Sequence, residues 1–266
     1  MLKGLYIGET NDYTIPASAS NMLNNKTLDV CEIDGLGRPS ADLYTTELVG
    51  ADASVYSGQT VKSRSITLSV KPRGDAGRMA LYRMLGYGQK KRIFLESDTG
   101  VYWIDGYVKG ATYAAKPAQQ SEIEIPIFCP YPWFRSLKAH EVFVPFGTSF
   151  SAQQAGDICA GLDVYVGVNT AGKMGSFGLS DSKGNAVSYH SNSYYQITGA
   201  KGYVRLVDTT PGAHGFITAK AIQNITLTND WVTVPPDEEE ATITATFNTD
   251  GTPDGKFVWY DTWSGI

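Results

Sequence analysis

Three groups of residues in this 266-residue chain could carry chemistry by their type and spacing: the tripeptide Asp98-Thr99-Gly100, the histidines and cysteines, and a run of lysines and arginines from Lys62 to Arg92. Asp-Thr-Gly is how aspartic proteases present one carboxylate of a pair that shares a proton, because two acids so close cannot both ionise. The pair needs a second such loop, or a homodimer to supply it, and apolar residues ahead of the Asp. Here Glu96 and Ser97 stand in front of it, and the same tripeptide serves equally well as a polar hairpin turn. His140, His190 and His214 lie in unrelated contexts, and Cys31, Cys129 and Cys159 are far apart, so no short-spaced ligand pair for zinc is present. There is no Gly-x-Ser-x-Gly elbow, no phosphate-cradling glycine loop with its lysine, and no dinucleotide fingerprint. The expectation is a protein without cofactor or metal and without a positive case for catalysis.

The basic run is the strongest charge feature. Nine residues (Lys62, Arg64, Lys71, Arg73, Arg78, Arg83, Lys90, Lys91 and Arg92) meet a single acid, Asp75. Such a run is a solvated helix and strand face, a subunit interface paired with acids, or a wall that meets DNA. Few aromatic rings interleave with it, which argues against single-strand binding. The net charge of −5 also hides an asymmetry: residues 1–135 carry 15 Lys and Arg against 14 Asp and Glu, a balance of +1, while residues 136–266 carry 7 against 13, a balance of −6. That shift supports two modules and makes the second a poor nucleic-acid binder.

The elements that must position these residues read as strands. A hydrophobic content of 42% with 28 glycines describes a folded, turn-rich chain, and the length suits two domains. Three scattered cysteines argue against a disulfide framework, and no run of about 18 apolar residues marks a membrane span or secretion signal. Ile123, Ile125 and Ile127 alternate with Glu122, Glu124 and Pro126, the period of a half-buried strand, and Pro130 and Pro132 stop it. The segment Phe128-Cys129-Pro130-Tyr131-Pro132-Trp133-Phe134 is therefore the expected domain junction, its rings a hydrophobic plug and the stretch from Pro130 to Ala139 a connector.

Upstream, the strand from Leu28 to Ile33 ends in an Asp34-Gly35 turn, and Ile66, Leu68 and Val70 share one strand face up to Pro72. Asp75 is placed to cap a helix through Leu85, with Ala80, Leu81, Met84 and Leu85 as its apolar stripe and Gly86 as its stop. Ile93–Glu96 and Val101–Ile104 flank Ser97–Gly100 as a hairpin that is apolar on both faces. Ile93, Leu95, Tyr102, Trp103, Ile104 and Tyr107 are accordingly candidate subunit contacts. Downstream, strands such as Leu162–Val166 and Gly202–Val207 alternate with turns at 181–185, 248–251 and 253–255, as in a β-sandwich or jelly roll.

A Cys-Pro-Tyr-Pro-Trp-Phe segment closing an Ile-rich strand resembles the end of the first domain in siphophage distal tail proteins. Gly4-Leu5-Tyr6-Ile7, Asp34-Gly35-Leu36, Ala155-Gly156-Asp157, Trp231 and the end Phe257-Val258-Trp259-Tyr260 with Trp263-Ser264-Gly265-Ile266 also match that family in order. Pro235-Pro236-Asp237-Glu238-Glu239-Glu240 departs from it, and so does the absence of an acid between Cys129 and Pro130. The resemblance implies a mainly β fold: an N-terminal β-sandwich with one short helix and a β-hairpin arm over residues 1–135, and a galectin-like or jelly-roll β-sandwich over 136–266. It further implies a non-enzymatic virion component at the distal end of the phage tail, assembled in the bacterial cytoplasm as a hexameric ring. Its partners would be the tail tube protein, the tail-associated hub or tail lysin protein, and receptor-binding or baseplate components, with no membrane and at most lumenal contact with phage DNA.

The rival reading is a carbohydrate-binding module. Alternation puts Phe257 and Trp259 together in the core, whereas Trp231, opposite Val232 and Val234, is expected to be exposed. With the acids Asp237 and Glu238 beside it, Trp231 is the candidate partner or sugar surface, and those acids favour a basic protein partner over a neutral glycan.

Overall fold

A computed structural model of the chain describes residues 1–10, 14–17, 19, 21–47, 54–86, 88–113, 122–167, 171–173, 176–190, 194–196, 203–209, 215–216, 224–247 and 254–266. The fold is mainly β, and its strands fall into two compact units: one of residues 1–137 with Ser264–Ile266, the other of residues 138–263.

The first unit contains β1 (Leu2–Glu9), β2 (Leu28–Asp34), β3 (Ala41–Glu47), β4 (Ser54–Val61), β5 (Arg64–Pro72), α1 (Gly74–Leu85), β6 (Lys90–Ser97), β7 (Val101–Val108), β8 (Thr112–Tyr113), β9 (Ile123–Cys129) and the start of β10 (Phe134–Pro145). Antiparallel pairing runs β1-β6-β7, then from β7 through β9 to β5 and β2. The alternation read from the sequence holds: Ile66, Leu68 and Val70 on β5 face Ile127, Ile125 and Ile123 on β9, all at most 1% exposed. β9 stops at Cys129, where the prolines begin, and β2 stops at Asp34 before Gly35, whose φ of +86° is in the left-handed region. A side chain at Gly35 would also strike the carbonyl of Ser65.

Three expectations for this unit are corrected. Asp75 does not cap α1: the cap position is Arg73, and Asp75 sits in the first turn, paired with Arg78 at 2.9 Å. The buried stripe is Gly77, Leu81 and Leu85, spaced by four, while Ala80 is exposed and Met84 half-buried. The stretch from Phe134 onward, expected as a connector, is a continuous strand: Arg135 and Ser136 pair with Trp103 and Tyr102, and β10 carries on to Pro145.

In the second unit are β11 (Ser149–Ala152), β12 (Ala160–Gly161), β13 (Asp163–Gly167), β14 (Ala171–Lys173), β15 (Ser176–Asp181), β16 (Ala186–His190), β17 (Tyr194–Gln196), β18 (Tyr203–Asp208), β19 (Gly215–Phe216), β20 (Asn224–Thr228), β21 (Thr233–Val234), β22 (Ala241–Phe247) and β23 (Asp254–Trp263). One sheet runs β19-β18-β13-β23-β10 and the other β11-β22-β15-β16-β20. Val164, Val166, Val207, Phe257 and Trp259 from the first sheet and Phe150, Phe177, Leu179, Val187, Ile243 and Ala245 from the second form one buried cluster between them. The turn at 181–185 is as expected, with Asp181 accepting from the amides of Lys183 and Asn185. The turn at 248–251 and His214 lie outside the described residues. Asp254 and Gly255, expected in a turn, begin β23.

Candidate assembly surfaces

The junction is built around a cation. Arg64 opens β5 at 3% exposure, and its guanidinium donates to the carbonyls of Pro132 at 2.7 Å and Ser264 at 2.6 Å, and to those of Gly35 and Gly37. It also lies over the Phe134 ring, 4.5 Å from its centroid. One side chain thus ties the β2 exit, the proline corner and the chain end together; Ile266 adds an amide bond to the Leu36 carbonyl. Burial lowers the Arg64 pKa, but an arginine stays charged throughout the accessible range. Beside it, burial pushes the Cys129 thiol up to about 12, which removes its nucleophilic form. Arg135 lies over the rings of Tyr131 at 4.6 Å and Trp103 at 5.0 Å. The seven junction residues are therefore a cation-stitched corner of the first unit; Pro130 is exposed, and Phe128, Tyr131 and Trp133 are half-buried.

The basic run does not form one face. Lys62 pairs with Asp42, Arg73 with Asp29, Arg78 with Asp75, Lys91 with Glu9, and Lys90 and Arg92 both with Asp105. Arg64, Lys91 and Arg92 are buried. Asp42, Asp29, Glu9 and Asp105, all outside the run, supply part of the neutralisation that the local count could not show.

The β6–β7 hairpin is likewise inward. Ile93, Leu95 and Ile104 are 1% exposed, Trp103 3% and Tyr102 8%, so both faces of the hairpin are covered within the chain, and its edges pair with β1 on one side and with β9 and β10 on the other. Trp103 donates to the Ser136 carbonyl at 3.0 Å and carries Arg92 over its ring at 3.7 Å. Of the six expected contact residues only Tyr107 is exposed. Asp98 sits at the hairpin's turn, exposed and paired with the N-terminal amine and Lys3, which hold its carboxyl below the usual range; its partners are cations rather than a second carboxyl.

The outward hairpin is one that the sequence reading missed. Among the described residues β3 and β4 pair only with each other, from Ala41 opposite Val61 to Glu47 opposite Ser54, and carry Leu43, Tyr44 and Tyr56 at 64%, 51% and 57% exposure. No apolar alternation marks it, because neither face is buried; the only sequence signal is the Gly58 and Ser/Thr-rich strand composition. Apolar side chains on an uncovered two-stranded ribbon are what a partner would cover.

Trp231 is 9% exposed and part of the second unit's core, so it offers no platform. It precedes β21, a strand of two residues, too short for alternation to assign its face. Asp237 and Glu238 are exposed, with φ of +56° and +59°, and their amides donate to the carbonyls of Gly156 and Gln154. The acids are present on the surface, but the expected ring beside them is not.

No protein-family model matches the sequence, and no curated protein matches it. Solved structures do. The SPP1 Dit protein, a hub adsorption apparatus protein of phages infecting Gram-positive bacteria, superposes with a TM-score of 0.59 at 12% identity, covering 98% of this chain and 99% of that one. A chain of the phage P2 baseplate, in its activated conformation with Ca, gives 0.55 at 8% identity with all of both chains covered. The chain has the fold of these tail hub and baseplate proteins over its whole length.

Proposed function

We propose that this chain is a non-enzymatic structural hub at the tip of a long, non-contractile phage tail. Residues 1–135 would form a ring, six copies closing on one another, that continues the tail tube. Residues 136–266, a galectin-like sandwich, would face outward toward the tail-associated hub protein and the host-recognition or baseplate components. The observation that carries the reading is the end-to-end fold likeness to two tail-tip proteins, which includes both units rather than one β-sandwich of general type. The β3–β4 hairpin supports it, since it is the apolar ribbon available for contact between copies. Immunogold labelling of phage particles that carry this chain tests the assignment. The label is expected at the distal end of the tail, and label on the capsid, or absence from purified virions, overturns it.

A further inference from the structure

The outer face of the β10-β23-β13-β18 sheet carries an exposed aromatic pair for which the core has no use. Phe143 on β10 is 56% exposed and Tyr203 on β18 is 38% exposed, and their rings lie 5.7 Å apart at an interplanar angle of 59°. The register explains the grouping. Tyr165 lies opposite Lys256 on one side and Arg205 on the other, while Gly167, next on that face, lies opposite Tyr203 and has no side chain to fill the space between strands. Lys256 reaches over both the Phe143 ring, at 5.4 Å, and the Tyr165 ring, at 5.8 Å, and pairs with Glu141 at 2.8 Å. On the other flank Arg205 donates through Nε to Asp163 at 3.0 Å and pairs with Asp208 at 2.8 Å.

We propose that this face is a binding site for a neutral saccharide, with Phe143 and Tyr203 as the platform for a pyranose ring and the two ion-paired clusters as the partners of its hydroxyls. The C–H face of a pyranose is apolar and its hydroxyls project sideways, so it suits exposed rings bordered by polar groups held in place. The ion pairs leave the flanks with donors and acceptors of both kinds and a balance of −1, two cations against three acids, which favours a neutral ligand over an anionic one. All the groups stand on paired strands, so the arrangement is preformed. The site is distinct from the expected Trp231 surface, and it does not depend on ring formation.

Saturation-transfer NMR on the full chain with chitohexaose and with maltohexaose tests this. Saturable binding of at least one of them is expected, with a Kd of about 1 mM, weakened about tenfold by Phe143→Ala and by Tyr203→Ala. Leu227→Ala, at an exposed apolar position on the other sheet, leaves it unchanged. Failure of both sugars to bind at about 10 mM overturns the proposal. So does binding undiminished in a Phe143→Ala variant that melts like the parent protein. If neither sugar binds and Phe143→Ala instead weakens self-association, the face is a protein contact and the saccharide assignment falls.

Discussion

Arg64 gives up the hydration of a full charge and recovers it from backbone carbonyls and a ring rather than from a carboxylate. Only the planar, five-donor guanidinium can serve several segments at once, so Lys is no substitute. Arg64→Met is expected to cost about 3 kcal/mol in urea unfolding, and Arg64→Lys nearly as much, because charged hydrogen bonds are lost and the carbonyls are stranded. A loss below about 1 kcal/mol for both would mean that water replaces the guanidinium freely. The cysteines give a second residue-scale test. Cys31 and Cys159 are exposed and Cys129 is buried with its thiol pushed up to about 12, so iodoacetamide at neutral pH should label the first two and reach Cys129 only after denaturation. Rapid native labelling of Cys129, read by peptide mass, would contradict the packed corner. The sequence located this corner through its prolines but had no means of showing Arg64 at its centre, since its carbonyl partners lie 27 to 200 residues away.

At the scale of elements, period-two strands with one buried face were legible, as Ile66, Leu68 and Val70 and the Ile123–Ile127 set show. The β6–β7 hairpin was legible as a hairpin but its cover was not, and the β3–β4 hairpin was not read at all, for opposite reasons. β6–β7 is apolar on both faces, which reads the same whether the second cover is another subunit or the same one; β3–β4 has no buried face and so leaves no alternation to read. The consequences reverse two sequence expectations. Trp103→Asp should unfold the protomer rather than block its assembly, because it buries a charge at a 3% exposed position; a soluble, natively melting variant would refute that packing. Brief chymotrypsin digestion should cut first at Leu43, Tyr44 or Tyr56, not between Tyr131 and Ala139, where the strand β10 begins. First cuts in the latter stretch would restore the connector.

For the whole molecule, motif order suggested a tail protein before any fold was known, and the fold likeness extends over the full chain although identity is only 12% and 8%. What the sequence left open is how copies meet, because an assembly surface obeys no periodicity of its own and is recognised only once the fold shows which apolar side chains, such as Leu43, Tyr44 and Tyr56, stay exposed. Native mass spectrometry of the full chain over about 1 to 100 μM, with Leu43→Asp as its companion, measures this directly. The ring account predicts a closed particle of about six 28.8 kDa chains, lost to monomer in the natively melting Leu43→Asp variant. A monomer at every concentration would contradict it.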